Sequence, residues 1–105
     1  MLAVKVKITR YVSDDPQPGI VECELFDVHG RCWHFIEKTA VVSADDLDAK
    51  SVYPQPGVIA AEVVGHSKDA AGRDVTRIDT SRPWDVESTD GATQFDVLSE
   101  LLIEL

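Results

Sequence analysis

Val21-Glu22-Cys23-Glu24-Leu25-Phe26-Asp27-Val28-His29-Gly30-Arg31-Cys32-Trp33-His34-Phe35-Ile36 reads as a β-hairpin, and it decides the fold class. Both arms alternate with a period of two, the spacing of a strand that buries one face. Between them Asp27 precedes Val28-His29-Gly30, which fits a type I turn ending with glycine in the left-handed conformation. Counting outward from Asp27 opposite Arg31 pairs Leu25 with Trp33 and Cys23 with Phe35, all on one face. The other face then holds Glu22, Glu24, Phe26, Cys32, His34 and Ile36, with Glu24 across from His34.

Upstream, Leu2, Val4, Val6 and Ile8 alternate with Lys5, Lys7 and Thr9, so a half-buried strand opens the chain. Ser13-Asp14-Asp15-Pro16-Gln17-Pro18-Gly19 breaks it as a loop. Downstream, Thr39-Ala40-Val41-Val42 extends or bends the hairpin's second arm, and Ser43 followed by Asp46 resembles a capping box. That pattern predicts one short helix near residues 44–50.

The pieces of the hairpin then recur. Pro54-Gln55-Pro56-Gly57 echoes Pro16-Gln17-Pro18-Gly19, and Asp69-x-x-Gly72-Arg73 echoes Asp27-x-x-Gly30-Arg31. A second hairpin with longer arms follows from this spacing, by duplication or by convergent turn chemistry. Asp90-Gly91 marks a third turn. Pairing Thr89 with Ala92 sets Val86 opposite Phe95 and Trp84 opposite Val97 on the apolar face, and Asp85 opposite Asp96 on the polar one. Like charges in register are unfavourable. Lys5 and Lys7 would offset them if the first and last strands were neighbours. The ending, residues 98–105, reads as a short amphipathic helix or as a tail that packs on a second copy of the chain.

Length and composition bound the rest. A chain of 105 residues is one domain, 1–105, with one modest core. No early apolar run resembles a signal peptide or membrane span, and two cysteines without such a signal point to free thiols in a reducing compartment, the cytoplasm. Nineteen acidic residues against ten basic give a net charge of −9, and no lysine or arginine follows Arg82. Such a domain repels phosphate backbones, which excludes nucleic acid as a partner and favours a basic protein. The same charge also serves solubility.

No motif assigns an activity. Cys23, His29, Cys32 and His34 are the right residue types for zinc, but the register sends Cys23 to one face and Cys32 and His34 to the other. The same divergence argues against a Cys23–Cys32 disulfide, and neither a metal nor a cofactor is expected. Gly65-His66-Ser67 lacks the second glycine of a nucleophile elbow. Asp45-Asp46-Leu47-Asp48 lacks the glycine and closing glutamate of a calcium loop.

The sequence therefore predicts an all-β, mainly antiparallel domain of six or seven strands, a small barrel or tight sandwich. The preferred function is a non-catalytic acidic interaction module, an inhibitor or neutralising partner of a basic protein, contacted through Asp85, Glu87, Asp90 and Asp96. A small-molecule-binding barrel and a small enzyme with Glu24 and His34 as acid and base are the alternatives. Homodimerisation through 98–105 is a further expectation.

Overall fold

The computed structural model describes residues 1–105 as two antiparallel sheets packed face to face. The strands are β1 (Leu2–Ser13), β2 (Ile20–Phe26), β3 (Cys32–Lys38), β4 (Gln55–Ala60), β5 (Glu62–Lys68), β6 (Asp74–Asp79), β7 (Gln94–Leu98) and the short β8 (Leu102–Glu104). The first sheet runs β3-β2-β1-β4 and the second β5-β6-β7. The sheets do not close on each other, so the sandwich is the architecture and the barrel is not.

β1 is the spine of the larger sheet. Its Ala3–Ile8 segment pairs with β4 along one edge. Along the other edge, Lys7–Ser13 pairs with β2 and Leu2–Val4 with β8. Val4 and Ile8 are fully buried while Lys5 and Lys7 face solvent, as the alternation requires. The chain leaves this sheet at Ala61, whose N–H donates to the Leu2 carbonyl at 3.0 Å, and enters the second sheet as β5.

The β2–β3 hairpin has the register read from its sequence: Leu25 opposite Trp33, Cys23 opposite Phe35 and Glu24 opposite His34. Its turn is closed by the Asp27 N–H on the Arg31 carbonyl (3.0 Å), with Gly30 at φ 81°. The Asp27 carboxylate accepts from the N–H groups of His29 (2.8 Å) and Arg31 (3.0 Å). Asp69 does the same between β5 and β6, accepting from Ala71 (3.0 Å) and Arg73 (2.8 Å), with Gly72 at φ 80°.

Beyond the turns the echo diverges. Pro16–Gly19 lies in the loop before β2, whereas Gln55-Pro56-Gly57 begins β4. The longer arm expected of the second hairpin is really two strands in different sheets, joined at Ala61. Gly57 has its own reason for being glycine. A Cβ there would lie 2.7 Å from Ile8 Cδ1 and Cγ1 and 3.0 Å from the Val42 carbonyl oxygen.

The third hairpin is not formed as expected. The Asp90-Gly91 turn exists, with the Ser88 N–H on the Ala92 carbonyl at 2.8 Å, but strand pairing stops there. β7 pairs instead with β6, setting Ile78 opposite Phe95 and Arg77 opposite Asp96. Residues 80–86 coil back on themselves: the Val86 N–H reaches the Thr80 carbonyl at 3.0 Å, and the Thr80 hydroxyl donates to the Val86 carbonyl at 2.7 Å. Pro83 carries no N–H, so a strand over 84–89 could not be extended upstream by a ladder bond from that residue. Val86 still reaches the core, but Trp84, expected on the apolar face, lies on the surface at 57% exposure. Asp96 faces a cation, so Lys5 and Lys7 offset nothing here. The chain ends do meet, through β8 rather than β7.

The one helical turn, α1, spans Thr39–Val42 and not 44–50. Within 43–50 the short polar side chains hydrogen-bond locally instead: Ser43 Oγ accepts from the Asp45 N–H (3.0 Å) and Asp48 Oδ1 from the Lys50 N–H (2.8 Å). Such bonds compete with helix propagation. The terminal segment is neither a helix nor free. It makes a 3-10 turn at Ser99–Leu101 and then β8, packing Leu101 and Leu102 on the chain's own core while Leu105 stays exposed. No helix is long and apolar enough to cross a membrane.

One continuous core joins the two sheets, with Val4, Ile8, Leu25, Phe35 and Ile59 from the first and Ile78, Phe95 and Val97 from the second. Phe95 sits between Trp33 (5.1 Å between ring centroids) and Phe35 (5.6 Å), edge-on to both.

Candidate functional site

β3 is the outermost strand of its sheet, and the loop after β6 folds along its open edge. The Thr89 N–H donates to the His34 carbonyl at 2.8 Å. This contact carries the acidic stretch 85–90 to the side of β3 and creates a groove of about 440 Å³ lined by Ile36, Glu37, Asp85, Glu87, Ser88 and Thr89. Three carboxylates line it, and none forms an ion pair with a lysine, arginine or histidine. Burial pushes the Glu37 carboxyl above its ordinary value and the Glu87 charge adds to the rise, while the backbone N–H and charge of Lys38 pull partly back.

The four acids singled out from sequence thus fall into two kinds. Asp85 and Glu87 stand together in the groove, both exposed. Asp90 is bound to Arg31 at 3.0 Å. Asp96 takes a two-point hydrogen bond from Arg77 (2.8 and 3.0 Å), with His29 Nε2 3.6 Å away. Arg77, above all by hydrogen bonding, holds the Asp96 carboxyl below its ordinary range. Glu37 was not legible as a member of the group. The signal existed, since Glu37 lies on the β3 arm beside the edge, but the fold of 81–92 over that edge could not be read.

The outward face of the β2–β3 hairpin gathers a second set. Glu24 lies opposite His34 in register, yet His34 Nδ1 is 3.1 Å from Glu22 Oε2, so Glu22 is its hydrogen-bond partner. Arg10 fixes the other oxygen of Glu22, with Nη2 at 2.7 Å and Nε at 2.9 Å. The Cys32 sulfur lies 3.8 Å from His34 Nε2. The donor atoms of Glu24, Cys32 and His34 are all within 4.8 Å of one another. Cys23 is on the opposite face, fully buried, and burial pushes its thiol up to about 12. Both cysteines are free.

Gly65-His66-Ser67 lies inside β5, where His66 Nδ1 meets the Thr76 hydroxyl at 3.3 Å; no strand-to-helix elbow is present at this position. The sheets form no closed barrel, and one cluster of buried side chains spans the space between them. Compared with protein-family models, curated proteins and solved structures, the chain matches none.

Proposed function

We propose that this chain is a non-catalytic binding module whose acidic groove receives an arginine or lysine side chain from a basic partner protein. The observation that carries this reading is the convergence of Glu37, Asp85 and Glu87 on one groove, none of them in an ion pair with a cation of the chain's own. A guanidinium or ammonium group entering there supplies a paired counter-charge, which offsets the burial of Glu37 and the Glu87 charge near it. Ile36, 41% exposed at the groove wall, offers an apolar surface for the aliphatic stem of that side chain. The net charge of −9 draws a basic protein in over longer range, which speeds association and makes it salt-sensitive.

The test is titration with an arginine-rich peptide, followed by NMR shift mapping and calorimetry at low and high salt. Shifts concentrated on residues 36–37 and 85–89 are expected. The triple variant Glu37→Gln/Asp85→Asn/Glu87→Gln should weaken binding by about tenfold or more at low salt. The control triple Asp15→Asn/Asp45→Asn/Asp46→Asn removes the same charge from exposed positions elsewhere and should retain most of the affinity. Equal losses in the two triples would reduce the binding to net charge and remove the groove from the account.

A further inference from the structure

We propose that Glu24, Cys32 and His34 form a zinc-binding site on the outward face of the β2–β3 hairpin, with water completing the coordination. This inference is independent of the acidic groove.

The geometry carries it. Zinc binds sulfur at about 2.3 Å and imidazole nitrogen at about 2.0–2.1 Å in tetrahedral arrangement, so the two donors should stand about 3.6 Å apart. Cys32 Sγ and His34 Nε2 stand 3.8 Å apart, a few tenths of an ångström from that edge. The nearest carboxylate oxygen of Glu24 falls in the same group of three, all within 4.8 Å of one another. Tight register makes the set. Cys32 and His34 are two residues apart on one strand and so share a face, and Glu24 is paired directly with His34 on the neighbouring strand.

Glu22 makes His34 a competent ligand. Its carboxylate holds Nδ1 at 3.1 Å and is itself fixed by Arg10, so the imidazole proton belongs on Nδ1 and the Nε2 lone pair is directed toward Cys32. A carboxylate behind a histidine is the usual support of a zinc ligand. One thiolate, one imidazole and one carboxylate suit zinc better than calcium or magnesium, which prefer oxygen alone. On binding, the Cys32 thiol gives its proton to solvent and its sulfur lone pair to the metal. Nothing is oxidised or reduced.

Two signals hid this set from sequence reasoning. The eye goes to two cysteines and two histidines, but Cys23 points into the core and His29 lies beside Asp96. The third donor is a glutamate from the partner strand, visible only once the register is fixed.

The experiment is titration of the metal-free full chain with Co2+, then displacement by Zn2+. A thiolate-to-cobalt charge-transfer band saturating at one equivalent is expected. Cys32→Ser should abolish the band and Cys23→Ala should keep it. Glu22→Gln should weaken binding by about 10–100-fold through the histidine it orients, without removing a ligand. Should Cys32→Ser fail to fold, alkylation of the wild-type chain decides: one equivalent of Zn2+ should protect Cys32 from iodoacetamide. No charge-transfer band, or a Cys32 alkylated equally with and without Zn2+, overturns the proposal.

Discussion

Phe95→Ala should separate the two sheets energetically more than any other single truncation in β7. Phe95 is 3% exposed and is the second sheet's contact with both Trp33 and Phe35 of β3. Truncating a buried phenylalanine costs about 3–5 kcal/mol through lost transfer energy and the cavity left behind. The unfolding entropy of a 105-residue chain, at about 2.1 cal/mol/K per residue, is about 0.22 kcal/mol/K. A loss of about 4 kcal/mol therefore lowers Tm by about 18 °C, a large part of the stability of about 5–15 kcal/mol usual for a domain. Thermal melts by circular dichroism and urea titrations measure it, and the urea midpoint should fall at constant slope. A double-mutant cycle between Phe95→Leu and Phe35→Leu should give a coupling of about 0.5–1.5 kcal/mol for the edge-on ring pair. A Tm drop under about 4 °C for Phe95→Ala would mean that the sheets do not meet through this residue, and the sandwich packing would have to be redrawn.

Gly57→Ala should cost about 1–3 kcal/mol in a denaturant titration, because the new Cβ meets Ile8 and the Val42 carbonyl. Gly65→Ala, which meets nothing within 4 Å, should change stability little in the same assay and serves as its control. Asp96→Asn should melt earlier than wild type at neutral pH, and the difference should shrink as the solution is made acidic. The sign follows from Arg77 holding the folded carboxyl below its ordinary value: its stabilisation is present above that value and is lost as pH falls through the folded one. Glu37 has the opposite sign, since its carboxyl is raised: protonated it is tolerated, and ionisation on going to neutral pH costs stability. Glu37→Gln should therefore raise Tm slightly at pH 7 while weakening the arginine-rich peptide; a variant that gains in both assays would refute the assignment of Glu37 to the groove.

Most of the sandwich was legible because its determinants are local. The Asp-x-x-Gly-Arg turn fixed the β2–β3 register residue by residue, and the alternation in β1 fixed which side faces the core. Illegibility began where a local signal had a competitor. Asp90-Gly91 does turn the chain, but a turn names only the residues it closes and not the strands that flank it. β6 offered Ile78 and Arg77 as partners for Phe95 and Asp96, satisfying apolar and charged positions together, and residues 84–89 offered Asp85 against Asp96. The β6 pairing sets an opposite charge in register with Asp96, where the 84–89 pairing would set a like one. The helix near 44–50 failed for a related reason: the serine and aspartates that resemble a cap also bond their own backbone, and here they do so without starting a helix.

The same displacement accounts for the acidic groove. With β7 paired to β6, residues 81–92 were released from strand pairing and free to lie along the open edge of β3. A strand edge left bare invites pairing with another chain. Covering it with a loop that carries Asp85 and Glu87 removes that hazard on one side of the sheet and leaves an acidic groove as the cover. The cover reaches β3 through the His34 carbonyl, so it uses the backbone of His34 and leaves its imidazole to Glu22 on the outward face. One residue of the hairpin thus bounds both surfaces, its backbone facing one and its side chain the other. Because the two uses draw on different atoms of His34, a substitution such as His34→Gln should remove zinc affinity while leaving the groove in place.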